Sequence, residues 1–288
     1  MVVHQSHTFE LKIMAIRKFS LTLLSVIALA AFLPLDASAQ LISHGDLFGP
    51  GAPPPLFGVE VGFGSHTQQG EYQADCHCNF PVGSGTGFMG SIVFELPLNY
   101  EWVVGIKGGV DFKNTLGRVT LQENAQIRFT DPVKGDSITS ALISLDRIGT
   151  VKMTYLTVAP FVQYQFFRLG PFIQAGLGVS FLLSNHFTHQ RELITTSVKL
   201  PDGSTVPNVR FENGTMDEIL QDGPITNVNS LRLGALLGVG YDISLSDRAV
   251  IAPMFTYDLP LNVIRSTLAT NWKISSLFGS IELKYKLN

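Results

Sequence analysis

The longest regular pattern in the chain runs from Leu231 to Leu259. Leu231, Leu233, Ala235, Leu237, Val239, Tyr241 and Ile243 occupy alternate positions, with Arg232, Gly234, Leu236, Gly238, Gly240, Asp242 and Ser244 between them. A strand sends successive side chains to opposite faces, so this segment has one apolar face and one of small or polar residues, Leu236 excepted. After Ser246-Asp247-Arg248 the alternation resumes, with Ala249, Ile251, Pro253, Phe255, Tyr257 and Leu259 set against Arg248, Val250, Ala252, Met254, Thr256 and Asp258. Two such runs joined by a short polar turn predict a β-hairpin.

The same period of two recurs along the chain. It predicts strands near 56–65, 87–96, 101–112, 154–166 and 171–183, and a last one from about Leu277 to Leu287. With the hairpin they make eight, each near the roughly 9–11 residues of a tilted membrane-crossing strand. The connections at 97–100, 168–170 and 245–247 are short. Those at 66–86, 113–153, 184–227 and 260–273 are long. Alternating short and long connections over an even number of strands mark an up-and-down barrel with one plain and one elaborate rim, both chain ends lying at the plain rim. Strand-like pieces inside the long connections, such as Val119–Leu121 and Gln126–Phe129, predict that strands three to six continue beyond the membrane. Long connections usually carry function or disorder.

The second face decides which side looks outward. It carries Gly58, Gly62, Gly105, Gly109, Gly176, Gly178, Gly234 and Gly238, together with Glu60, Glu95, Lys107, Asp111, Arg232, Asp242, Asp258, Glu282 and Lys284. Glycine suits a crowded lumen, since eight strands leave room for little more than side chains. Charges of both signs can pair there. The apolar face is nearly free of charge, which suits lipid and not water. The predicted fold is all-β: an eight-stranded antiparallel up-and-down transmembrane β-barrel. Aromatic residues near the short turns (Tyr100, Trp102, Phe167, Tyr241 and Tyr285) fit a membrane-interface girdle.

Composition adds an address. Arg17 and Lys18 precede the apolar run Leu21–Leu33, and Ala37-Ser38-Ala39 follows. This is the layout of a secretory signal peptide covering residues 1–39, with Met14 as an alternative start and Gln40 as the first mature residue. Residues 40–55, with Gly49-Pro50-Gly51 and Pro53-Pro54-Pro55, read as a stiff periplasmic linker, and 56–288 as the barrel domain. The net charge of −3 offers no basic footprint for nucleic acid.

From Phe57 to Leu287 the chain resembles the small outer-membrane β-barrels of Gram-negative bacteria, of the OmpA/OmpX type. The phrases P-F-I-Q-A-G-L-G-V-S, L-R-L-G-A-L-L-G-V-G-Y-D-I and S-I-E-L-K-Y-K-L resemble in particular the PorT-like family. That resemblance implies a place in the bacterial outer membrane, contact with its lipid and with the barrel-assembly machinery, and an accessory role in secretion. The chain ends Leu287-Asn288, where such barrels often end in an aromatic residue.

Catalytic signals are sparse. Cys76-His77-Cys78 is the nearest approach to a metal site, with His66, His186 and His189 also expected on exterior loops. C-x-C lacks the usual ligand spacing, so no metal site is assigned. Gly83-Ser84-Gly85-Thr86-Gly87 reads as a flexible loop end and not a nucleophile turn. The charged lumen residues read as a self-neutralising polar network. The chain therefore reads as a monomeric, non-enzymatic barrel without cofactor. Its long loops would meet an extracellular or secretion partner.

Overall fold

The computed structural model describes residues 53–73, 79–131, 135–167, 169–195, 197–199, 205–266 and 271–287. The signal-peptide segment, most of the Pro/Gly-rich linker and Cys76-His77-Cys78 lie outside them. Eight strands carry the architecture: β1 (Leu56–Gln69), β2 (Gly83–Pro97), β3 (Trp102–Asp131), β4 (Gly135–Gln165), β5 (Pro171–Leu193), β6 (Leu231–Tyr241), β7 (Ala249–Pro260) and β8 (Asn271–Lys286). Each pairs antiparallel with its sequence neighbours. β8 pairs with both β7 and β1, Leu56 lying opposite Lys286, so the ring is closed.

Sidedness follows the alternation. On β1, Val59 and Val61 are 48% and 65% exposed, whereas Glu60 between them is 1% exposed. Leu233, Leu237, Phe255, Ile281 and Leu283 likewise face outward, and Arg232, Asp258, Glu282 and Lys284 inward. Inside, glycine is required where aromatic rings cross the narrow lumen. A Cβ on Gly105 would stand 2.3 Å from the Phe161 ring, and one on Gly240 2.4 Å from Phe172. The plain rim is held by side-chain caps. Asn99 Oδ1 accepts from the backbone N–H groups of Glu101 and Trp102 at 2.9 and 2.7 Å. Ser246 Oγ accepts from those of Arg248 and Ala249.

At the elaborate rim strands three and four continue as expected, and through almost the whole of the connection: β3 and β4 pair continuously out to Asp131 opposite Gly135. β2 starts at Gly83, so Gly83–Gly87 is strand and not a flexible loop end. β8 starts at Asn271. Strand six does not extend. It begins at Leu231, and its place beside the outer part of β5 is taken by a separate strand, Asp217–Gly223. β5 runs ten residues past the expected end at Leu183. Thr154 pairs with Ser184 but Tyr155 with Leu182, leaving Leu183 as the extra residue of a β-bulge. Below it Phe172, Gln174 and Ser180 point inward; above it Phe187, His189 and Leu193 do. The bulge changes the parity, which is why a strict period of two stops there.

The outer parts of β3, β4 and β5, with Asp217–Gly223 at one edge and the short strand Arg210–Phe211 on β3 at the other, form a cap at the elaborate rim. The chain between Leu193 and Asp217 lays Val198, Val206, Val209 and Phe211 onto the inward-facing Ile127, Phe129, Ile143 and Leu145. The cap therefore has its own apolar core.

Candidate functional site: lumen and cap

The lumen is built of two ion-pair clusters. Nearest the plain rim, Lys284 Nζ lies 3.1 and 3.2 Å from the two oxygens of Glu95 and 2.9 Å from Asp242 Oδ1. Gln165 donates to Asp242 Oδ2 at 2.6 Å. Glu282 bridges upward: Oε2 is 3.7 Å from Lys284 Nζ, and Oε1 accepts from Lys107, which also lies 3.1 Å from Glu60. Ser91 and Ser280 donate to Glu60 at 3.0 and 2.7 Å. Toward the outer rim, Lys113 Nζ lies 2.9 Å from Asp111 and 3.0 Å from Asp258, which Arg232 meets at 2.7 Å. Lys113 also donates to Ser276 Oγ at 2.6 Å, and that hydroxyl is hydrogen-bonded to His66 Nδ1 at 2.8 Å.

All nine charged residues expected in the lumen are therefore brought together there: Glu60, Glu95, Lys107, Asp111, Arg232, Asp242, Asp258, Glu282 and Lys284. Six carboxylates share four cations, and the serine and glutamine donors make up part of the difference. Lys113 is the member that sequence reading misses, because residue 113 was expected to open a loop. The signal was present: Asp111, Lys113 and Thr115 continue the inward parity of β3. His66, expected on an exterior loop, is a fully buried β1 residue beneath the outer rim, and His186 and His189 lie in β5. Among the described residues no group of metal-ligating side chains is placed to hold a metal ion.

Apolar side chains cross the lumen at two levels. Phe172, Ala252 and Met254 pack together just above Lys284, which lies on their plain-rim side. On the outer side Tyr72, Phe80, Met153, Tyr155, Phe187 and Trp272 form a plug. The Tyr72 ring lies 4.7 Å from Trp272 and 4.9 Å from Phe187. Above the plug a further charged layer stands outside the membrane. Glu123 accepts from both Arg147 and Arg191, and Arg191 Nε donates to Glu218 at 2.7 Å while its guanidinium lies 4.6 Å over the Phe211 ring. Burial pushes the Glu123 carboxyl up, but the two guanidiniums outweigh it and hold it below the usual range. His189 is lowered to about 4 by burial first and then by the Arg147 charge. It stacks on Phe187 and meets Phe80 edge-on.

A closed ring of eight antiparallel strands with lipid-compatible side chains outside and paired charges inside is the architecture of a bacterial outer-membrane β-barrel. The protein belongs to the outer membrane protein beta-barrel domain family, whose pattern matches residues 55–265. Its location is the bacterial outer membrane. No curated protein matches the chain. Among solved structures, Ail, the attachment invasion locus protein of Yersinia pestis, is 13% identical, with 80% of this chain and 99% of that one covered and a TM-score of 0.30. Neisserial surface protein A is 16% identical, with 80% and 97% covered and a TM-score of 0.29. OprG from Pseudomonas aeruginosa is 12% identical, with 83% and 98% covered and a TM-score of 0.30.

Proposed function

We propose that this barrel is a non-enzymatic, monomeric anchor that presents its extracellular cap to a partner at the cell surface. The observation that carries the reading is the length of β3 and β4. At 30 and 31 residues they run far beyond what crosses a membrane, and the excess is folded around a core of its own. Residues 1–39 serve as the cleaved signal peptide, 40–55 as the periplasmic linker and 56–288 as the barrel domain. The barrel-assembly machinery inserts it. Support for a non-enzymatic role is that each charged group of the lumen is ion-paired with another. Lipid A or phospholipid turnover by the purified protein would overturn that part.

The test replaces residues 118–148 and 188–223 with short turns. The trimmed barrel is expected to keep heat-modifiable gel migration while cells expressing it lose the surface binding shown by cells with the full barrel. Unchanged binding would remove the cap from the function. A second reading, an accessory barrel in secretion, rests on the PorT-like phrases of β5, β6 and β8. It predicts cargo retained in the periplasm when the gene is deleted. In either case the two apolar layers predict no large steady conductance in planar bilayers.

A further inference from the structure

The cap is a sheet with two edges, and they are built differently. At one edge, Asp217–Gly223 carries Asp217, Glu218 and Asp222 and has a bulge at Leu220. Charges and bulges are the usual means of keeping an edge strand from pairing with another chain. The other edge belongs to β3. β2 covers it as far as Gly117, and Arg210–Phe211 covers it again from Ile127. Between the two, residues 118–126 have no strand on that side among the described residues.

Backbone direction fixes what this gap offers. The Gln165 N–H donates to the Glu101 carbonyl across to β4, and the Leu98 N–H donates to the Trp102 carbonyl on the β2 side. In an antiparallel strand both backbone groups of one residue point one way and those of the next point the other way. β3 pairs with β4 without a register shift from Trp102 to Asp131. Odd residues therefore bond to β4, and even ones, including Thr120, Gln122 and Asn124, turn N–H and C=O toward the gap. The stretch reads V-T-L-Q-E-N-A-Q, with no proline, glycine or lysine to blunt it. Its one charge, Glu123, points inward to Arg147 and Arg191. Burial marks the same gap from inside. On the inward parity Thr115 and Gly117 are buried, Val119, Leu121 and Glu123 half-buried, and Ala125, Ile127 and Phe129 buried again.

We propose that the gap is a strand-addition slot for an extended segment of a partner protein, about eight residues long and alternating apolar with polar side chains. The main chain of that segment pairs with Thr120, Gln122 and Asn124. Its apolar side chains lie beside Val119 and Leu121, which already pack on the plug and the cap core. Its polar side chains lie beside Gln122 and Asn124 on the outer face. The β3 of a second copy does not fit, because a continuous strand of 30 residues would run into Gly83 at one end and Arg210–Phe211 at the other. A short segment that leaves the sheet at both ends does fit. The slot names the kind of partner the cap would take, and rests on the surface-binding reading above for its biological use.

Amide hydrogen exchange of the detergent-extracted full chain tests the slot, with a lysine-flanked peptide of alternating valine and threonine as the probe. In the free protein the Thr120, Gln122 and Asn124 amides should exchange at least about tenfold faster than those of Leu121 and Glu123, and saturating probe should slow them by a similar factor. The same peptide N-methylated at every amide keeps its side chains but loses its donors, and should leave exchange unchanged. Gln122→Pro removes one slot-facing N–H and no bond to β4, so probe binding should weaken about tenfold while heat-modifiable migration is kept. Edge amides already protected in the free protein, no slowing with the probe, or equal slowing with the methylated peptide would each overturn the slot. On cells, Gln122→Pro should reduce surface binding as trimming the cap does. Binding that survives Gln122→Pro but not trimming overturns the slot and leaves the cap reading standing. Binding that survives trimming, with the three amides still protected by the probe, upholds the slot and overturns the cap reading.

Discussion

The membrane-level lumen and the extracellular cap are two interiors lined by the same strands with opposite chemistry. On β3 every odd residue from Val103 to Phe129 faces inward or is partly buried, a single unbroken alternation. Inside the membrane that parity reads Lys107, Asp111 and Lys113; in the cap it reads Ala125, Ile127 and Phe129. The outward parity changes the other way, from Ile106 and Val110 to Gln122, Asn124, Gln126 and Arg128. β4 repeats the exchange, with Val158 and Leu156 outward at the membrane and Ile143 and Leu145 inward in the cap. Backbone geometry is constant along each strand; what changes is the solvent outside it. Lipid demands apolar outward residues and leaves charges to the interior, whereas water demands the reverse.

The largest effect should come from the lumen. Lys284→Met strands Glu95, Asp242 and part of Glu282 without their cation, and removing one partner of a buried pair costs about 3–5 kcal/mol. The midpoint of heat-modifiable unfolding should fall sharply, while a barrel that migrates as the wild type does would show that the clusters contribute little. Its counterpart in the cap is Phe211→Ala. A buried Phe truncation costs about 3–5 kcal/mol where packing cannot collapse. The loss should be local, with protease shaving of intact cells accelerated and barrel migration unchanged. Coupled loss of both would mean that the two interiors unfold as one.

Next in size is a paired substitution that moves charge across the solvent boundary on β4. Val158→Lys puts an ammonium into lipid and should cost about 2–4 kcal/mol near the bilayer middle. Lys152→Val, on the same outward parity but beyond the membrane band, should change stability by less than about 0.5 kcal/mol. Urea midpoints of the refolded proteins would separate the two. Equal effects would put the boundary elsewhere on the strand.

The smallest effect is on pH dependence of the cap. His189 is held below its ordinary pKa of about 6.5, near 4, so the unfolded chain takes up its proton first. Its contribution is complete above about 6.5 and is lost as pH falls toward 4. Glu123, also lowered, contributes above the ordinary carboxylate range and loses its contribution as pH falls through its folded value. Both act in the same direction. Cap protection from protease should decline on acidification, and His189→Phe should flatten the upper part of that decline. An unchanged profile in the variant would remove His189 from the effect.

The same exchange of chemistry explains what could be read in advance. Ring, sidedness and the nine lumen charges were legible because the apolar parity is unmistakable from Phe57 to Leu287 at membrane depth. The membrane-crossing part of β3 reads as ending at Phe112 because its apolar residues change parity there, and its continuation beyond the membrane was legible only in Val119–Leu121 and Gln126–Phe129, whose apolar residues lie on the other face. Lys113 was lost with that boundary, and His66 with the expected end of β1 near residue 65. β5 hid for a second reason, the single extra residue at Leu183. The strand Asp217–Gly223, which stands in for an extension of β6, had no local signal. Its partner on β5 lies some 25–35 residues earlier in sequence, and only tertiary pairing places it.

The seam between β1 and β8 has a consequence for biogenesis. It joins Leu56 to Lys286, so the first strand waits for nearly the entire polypeptide before its second neighbour exists. Until then two rows of amide groups remain open, and in hydrocarbon neither row has anything to bond. Closure thus requires both ends of the polypeptide, and once made it leaves no open strand edge from which unzipping can start.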